Sequence, residues 1–531
     1  MNKNSLNKDK QKERSPGKSM GFSIFDALKL LGQAAKSLWI YFYASRLDTR
    51  NRKGFFYSLI TGVITTNKGA HFLSEREQLK LFPSAARGLL LDGRHKRLSL
   101  DESFKHLLLV AQTGAGKTTK YIIPNILQLA ENNNSIIVTD PSGEIFSLTS
   151  GYMQSKGFRV LKFDPTDPEH SIYFNPLKFV FTYESGRTYI DQVKVSILAS
   201  SLVASCLSGE KDAFWRAGAE SLIEFFTSCL RDTPKEFHNL YNVYKLIESM
   251  TADGNLLENF MDAYVNEQRL QDKWISLLSN FNATLRSQLA TAQTALKPLA
   301  NEHIAKMLSK NSIRFSDLKE EKTILYLTFP VNEAHFYTFI LNLFYTQLFH
   351  DYMSKLPQKS DLPLFILYDE FGHANIPNFD TIATNIRKYK VSLSLVLQSL
   401  SQLENQYGKQ RAKTIIEGGV NSKLFYSGAG YDTAKAIEQM LGRVIQDDFY
   451  IHSMTNNSPS RHEFNLLNAD EVRTLPDNQA FFITGNTKPV LLDVLPYYRN
   501  RKFKNKHKLG VAYIKANSFH RFRLMSVLER G

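Results

Sequence analysis

Short runs of mostly apolar residues recur along the chain at 106–110, 135–138, 159–163, 323–329, 365–368, 392–397, 423–426 and 480–484. Runs this short, bounded by polar or turn-forming residues, predict buried strands. Apolar positions at helical spacing lie between several of them, so strands alternate with helices. That order predicts an α/β fold with a mostly parallel sheet covered on both faces. Residues 88–92 and 97–100 read as two further short strands joined by a turn. From 185 to 312 the pattern changes: 192–206, 214–230 and 281–308 carry apolar residues at helical spacing, and strand signals are few. This segment is expected to be an all-α insertion, with chain on both sides of it contributing to one sheet. The longest stretch free of formal charge, 334–350, holds two histidines, Asn342 and Gln347. It is too short and too polar for a membrane span and predicts a core helix. Residues 21–44 are also helical in spacing, with Asp26, Lys29 and Lys36 as interruptions and Trp39, Tyr41, Phe42 and Tyr43 near the end. Either a membrane-surface helix or a face packed on protein fits them.

The run at 106–110 leads into Ala111, Gln112, Thr113, Gly114, Ala115, Gly116, Lys117, Thr118 and Thr119, and then into a helical pattern. A strand, a glycine-containing loop and a helix in that order bind nucleotide phosphates, because loop N–H groups and the positive helix end face the anion. Lys117 is placed to reach the β- and γ-phosphates, and the Thr118 hydroxyl to hold Mg²⁺. Ala111 stands where the first glycine of such loops is expected. A second acidic element belongs with this loop, and Asp369-Glu370 follows the run at 365–368. Asp369 would hold Mg²⁺ through water, and Glu370 would orient or deprotonate the attacking water. Lys117 and Asp369 are 252 positions apart, far more than a strand–helix–strand crossover needs. Asp140 and Glu144 either line the same cleft or form a turn with a helix cap.

Charge is unevenly placed. Of a formal +15, residues 1–53 carry 12 Lys/Arg against 4 Asp/Glu, and residues 499–531 carry 10 against 1, leaving −2 for the stretch between. Basic ends suit nucleic-acid phosphate or anionic lipid, or are simply solvated. The two cysteines, Cys206 and Cys229, have no metal-ligand spacing and read as buried thiols of a reducing compartment. Residues 1–18 are almost wholly polar, which is unlike a secretory signal.

Beyond the two nucleotide motifs, the chain contains TDPSGEIFSLTSGY, FDPTDPEHSIYFNPL, FWRAGAESLIEFF, YDEFGHA, LQSLSQLENQYG and LLNADEVRTLP. With these it resembles the TraG/TraD group of type IV secretion coupling proteins, ring-forming ATPases of the HerA/FtsK superfamily, from NKGAHFLSEREQLKLF at residue 67 to KPVLLDVLPYY ending at 498. The resemblance implies a RecA-like phosphate-loop ATPase domain in two parts, 67–184 and 313–498. The all-α insertion of 185–312 would lie between them, with basic segments 1–66 and 499–531 outside. It implies ATP and Mg²⁺ as ligands, a homo-oligomeric ring, specifically a hexamer, and DNA, a relaxase and secretion-channel components as partners. It also gives Gln398 the role of a γ-phosphate sensor, with Gln402 the lesser candidate, and makes Arg387 a residue that reaches a neighbouring subunit's nucleotide. On residue type alone Arg387 is equally a surface cation beside Lys388 and Lys390.

The expected activity is ATP hydrolysis that drives DNA, or a relaxase–DNA complex, toward a conjugation channel. A chromosome-handling DNA translocase and a nucleotide-gated docking platform are the alternatives. The group usually carries membrane-spanning helices near its start. No convincing pair is visible here, so the expected location is the bacterial cytoplasm or the cytoplasmic face of the inner membrane, with peripheral contact to anionic lipid through 21–53.

Overall fold

The computed structural model describes residues 63–204, 213–252, 254–330, 333–450, 460–518 and 523–530. Residues 21–44, Cys206 and the basic stretch 1–53 lie outside them. In chain order the strands are β1 (Val63–Gly69), β2 (Leu107–Val110), β3 (Ser135–Asp140), β4 (Arg159–Phe163), β5 (Phe181–Glu184), β6 (Arg187–Ile190) and β7 (Thr323–Thr328). They continue as β8 (Leu364–Tyr368), β9 (Val391–Leu397), β10 (Ser422–Tyr426), β11 (Arg443–Tyr450), β12 (Ser460–Asn465), β13 (Gln479–Thr484) and β14 (Val490–Asp493). The chain divides into two compact units. Within the smaller, β1, β11 and β12 pair antiparallel. Lys68 and Arg461 both close on the Asp447 carboxylate there, at 2.8 and 3.0 Å.

The larger unit is built on a nine-stranded sheet in the order β14-β13-β10-β2-β9-β8-β3-β7-β4. From β10 to β4 every neighbour is parallel, and β13 and β14 add an antiparallel edge. Strands β2, β3, β7, β8 and β9 are buried at every position. A parallel sheet covered on both faces leaves no side chain in water, so β2, β3, β7 and β8 read as mostly apolar runs, whereas β9 carries the buried Ser392 and Ser394, whose hydroxyls are bonded to Ser103 O and to the Tyr121 hydroxyl. The chain leaves the sheet after β4 and re-enters as β7, which pairs with both β3 and β4. The long insertion is thus anchored between neighbouring strands.

The insertion is mainly helical: Gln192–Ala204, Ala213–Cys229, Leu240–Ala252, Gly254–Tyr264, Gln268–Ser279 and Ala283–Leu296. The β5–β6 hairpin straddles residue 185, so the helical character begins a few residues later than the sequence pattern suggests. The helix expected over 281–308 is broken by a 3-10 turn at Lys297–Ala300, where Pro298 has no N–H to continue it. Cys229 is buried, and burial pushes its thiol up. The 334–350 stretch is the core helix Ala334–Ser354, and no described helix is long and apolar enough to cross a membrane.

The two strands expected at 88–92 and 97–100 reduce to a single bridge, Leu90 to Arg97. Both backbone groups of Leu90 are taken by the Asn125 side chain, at 2.8 Å each, in place of a strand neighbour. Asp92 Oδ1 accepts the N–H groups of Arg94, His95 and Lys96, which curls the connection tightly.

His106, just before β2, is in a left-handed conformation, φ 66°, and its Nδ1 accepts the Leu393 N–H at 3.1 Å. Burial depresses its pKa to about 3, and the Arg387 cation adds to the effect. A folded-state pKa below the unfolded value means stability is fully present above about 6.5 and lost as pH falls toward 3. Between pH 7 and 5 this group alone is expected to cost about 2 kcal/mol, seen as a lower urea midpoint. His106→Asn, which tolerates the same backbone conformation, should flatten that dependence. An equal acid shift in both proteins would remove His106 as its source.

Candidate nucleotide site

A parallel sheet gathers its strand ends along one edge, and ligands bind outside those carboxyl ends. On that edge stand the 111–119 loop after β2, Gln398 after β9, Asp369 and Glu370 after β8, and Asp140 closing β3. The β2-β9-β8 order sets Gln398 between the loop and the acidic pair, although the acidic strand is 252 residues from Lys117.

Ala111 is buried, has ordinary backbone geometry, and donates its N–H to Leu397 O at 3.0 Å, extending the β2–β9 ladder by one residue. Alanine therefore serves where a glycine is usual. The left-handed positions are Gly114 (φ 84°) and Gly116 (φ 87°), which need glycine to turn the loop. Gln112, Thr113 and Gly114 are exposed, and Ala115, Gly116, Thr118 and Thr119 are partly so. Thr119 Oγ1 lies 3.4 Å from Gly116 O. The following helix starts as a wide turn, Thr118–Ile122, with Ile123 N–H bonded back to Thr118 O. Pro124 explains it, since a proline ring clashes with the carbonyl four residues earlier in a regular α-helix. Lys120, which no sequence signal singled out, supports the loop from below. Its Nζ donates to Ala115 O at 2.7 Å and to Asp477 O at 2.8 Å.

Lys117, buried, places Nζ 2.5 Å from Glu370 Oε1, and Gln398 Nε2 donates to Glu370 Oε2 at 3.0 Å. Three of the expected functional residues thus converge through one carboxylate. Glu370 is itself left-handed, φ 57° and ψ 40°, a conformation that costs a non-glycine residue energy and persists only where its surroundings impose it. Those surroundings are aromatic: Phe371 packs against Tyr368, Phe379 and Tyr407. The Tyr407 hydroxyl accepts the Ile376 N–H at 3.2 Å. Gln402 lies beside Gln398 and Gly372. Its Oε1 accepts the Gln398 N–H at 2.8 Å, and its side chain lies over Gly372, where a Cβ would come within 2.6 Å of it.

Asp369 is buried, and burial raises its carboxyl to about 6 against the opposing Lys117 ammonium, with the Glu370 and Asp140 charges adding to the rise. Asp140 is likewise raised to about 6 by burial. Its Oδ2 accepts the Phe146 N–H at 2.8 Å, so it caps the helix Glu144–Ser155 and borders the cleft as well. Buried carboxylates that repel one another at the strand ends suit a hard divalent cation, which would neutralise them.

Arg387 is not brought into this group. It lies exposed in the turn Ile386–Tyr389 ahead of β9, about 20 Å from Gln398 across the strand length.

A family model described as type IV secretory system conjugative DNA transfer matches residues 69–518. The chain belongs to this family. Protein VirD4 of Rhizobium radiobacter is 25% identical over 415 residues, covering 75% of this chain and 58% of that protein. Conjugal transfer protein TraG of Agrobacterium fabrum is 22% identical over 444 residues, covering 81% and 65%. The chain spans about 58% of the length of the first of these relatives. Among solved structures, the bacterial conjugative coupling protein TrwBdeltaN70 superposes with a TM-score of 0.64 at 16% identity, over 82% of this chain and 96% of that one. TrwB in complex with ADP and Mg²⁺ gives 0.61 at 15%. At that identity the likeness establishes the RecA-like phosphate-loop fold.

Proposed function

We propose that this member of the family is an ATP-hydrolysing coupling protein that recruits DNA, or a relaxase–DNA complex, and drives it toward a type IV secretion channel. The observation that carries the reading is the convergence of Lys117, Glu370 and Gln398 at the carboxyl edge of one parallel sheet. Family membership supports the transport role, and the nucleotide and Mg²⁺ complexes of TrwB support ATP and Mg²⁺ as ligands. The assignment of 185–312 as a separate helical domain within the ATPase, and of the work to the cytoplasmic face of the inner membrane, belongs to the same proposal.

The chemistry asks little covalent help of the protein. Phosphoryl transfer is accelerated by positioning and by neutralising charge. N–H groups of 112–117 and the Lys117 ammonium would hold the phosphates. Mg²⁺, held by Thr118 Oγ1 and through water by Asp369, would neutralise phosphate charge. Glu370 would accept a proton from the attacking water, while the Gln398 amide, already bonded to Glu370, orients that water and reports loss of the γ-phosphate. The Lys117–Glu370 pair would have to part as nucleotide binds, since the same ammonium serves both anions.

Arg387 is exposed and at the far end of β9 from its own site, which supports a role across a subunit boundary in a ring, of which a hexamer is the proposed form. A guanidinium suits developing phosphate charge. Wild-type specific ATPase activity is expected to rise with protein concentration and with DNA. Arg387→Ala should give a low, concentration-independent rate, down by about a hundredfold at saturation. A flat wild-type line, or an unaffected variant, would remove Arg387 from the site.

A further inference from the structure

We propose that residues 498–513 form a pre-ordered cationic ridge that binds single-stranded nucleic acid. By composition this region reads as a basic tail, yet it is held against the body of the larger unit along its length. Asn500 Nδ2 donates to Gly93 O at 2.7 Å, and the buried Phe503 anchors the turn that follows. Ala512 N–H donates to Ser150 Oγ at 3.0 Å. Tyr513 exchanges two backbone bonds with the Gln154 side chain, at 2.9 and 3.1 Å.

The cations sort by direction. Lys506 turns inward, pairing with Glu131 at 3.2 Å and lying 4.3 Å over the Tyr152 ring. Arg499, Arg501, Lys502, Lys504 and Lys508 are exposed, and among the described residues none of the five has an ion-pair partner. Five unneutralised charges on a backbone already fixed by hydrogen bonds repel one another, and folding gains nothing from them. An external polyanion would relieve that repulsion and release counterions.

Exposed aromatic rings flank the row, Tyr498 at 52% and Tyr513 at 78% exposure. Tyr498 is braced edge-on by Tyr497. Cations that track a phosphate backbone, together with exposed aromatic rings on which unpaired bases stack, distinguish a single strand from a duplex, whose bases are already stacked. A lipid surface fits less well. The outward side of 499–508 is charge and its aromatic residue, Phe503, points inward, while the exposed apolar residues Leu509 and Val511 lie beyond that row, so anionic vesicles are the competing arm of the test.

The test is direct binding of the full chain to a labelled 30-nucleotide single strand, without nucleotide, across salt concentrations. Combining Arg501→Gln, Lys502→Gln, Lys504→Gln and Lys508→Gln is expected to make the plot of log affinity against log salt shallower by about 3, with basal ATPase unchanged. Tyr513→Ala, which removes a ring 78% exposed, should weaken binding about tenfold while leaving the slope alone. Equal slopes for wild type and the fourfold variant would overturn the proposal. So would tighter binding to duplex than to the single strand, or a charge-dependent loss confined to anionic vesicles. Because binding is read without nucleotide, a failure here leaves the ATPase reading standing, and an inactive ATPase would leave the ridge standing.

Discussion

Lys117→Ala is expected to abolish ATP turnover while leaving the fold in place. Among the described residues the lysine makes one ion pair, to Glu370, and the glutamate that would be left keeps its bond to Gln398 and partial access to water. Loss of that largely buried pair should therefore cost stability about 1–3 kcal/mol, a shift of a few degrees in thermal midpoint. The kinetic cost is larger. A preorganised cation at developing phosphate charge is worth on the order of 3 kcal/mol, and its removal lowers the rate by a hundredfold or more. The check is steady-state ATPase activity beside circular dichroism and a melting curve. Normal hydrolysis by a folded variant would end the assignment of the 111–119 loop as the phosphate cradle.

Glu370→Gln should separate binding from chemistry. The substitution removes the negative charge that holds Lys117 at 2.5 Å, and it keeps a side chain that can still bond Gln398. ATP is then expected to bind more tightly, by up to about tenfold, because no ion pair has to be broken first. Turnover should fall by about 10²–10⁴, the usual contribution of a positioned general base. Measuring the dissociation constant and kcat on the same preparation tests both halves. An unchanged kcat would take Glu370 out of the chemistry. Cargo delivery that survived without hydrolysis would favour a docking platform over a motor.

The elements that mattered most were legible because they are buried on both faces. Runs such as 135–138 and 365–368 have no polar alternation to confuse with a surface strand, so their type was plain and only their ends shifted by a residue or two. The pair at 88–92 and 97–100 failed for a non-local reason: Asn125, on a later helix, supplies the hydrogen bonds that a strand partner would have supplied. The antiparallel edge strand β14, Val490–Asp493, was not among the expected strands. Within the site, Lys117, Thr118, Asp369 and Glu370 were recognisable by motif, whereas Lys120 was not, because supporting a loop from beneath requires no particular spacing.

Local chemistry along the chain was enough to determine that a phosphate loop follows one buried strand, that an acidic pair follows another, and that a helical stretch separates them. Backbone turning at Gly114 and Gly116 and the apolar character of each strand are properties of a few neighbouring residues. Only the tertiary structure decided that β9 runs between those two strands, which sets Gln398 against Glu370 and leaves Arg387 at the opposite end. It likewise decided that Glu370 adopts a left-handed backbone beside an aromatic cluster, and that the basic residues of 499–508 lie on chain held against the body of the larger unit. Strand order, backbone strain and the direction of a surface charge are set by contacts between residues hundreds of positions apart, and no local pattern encodes those contacts.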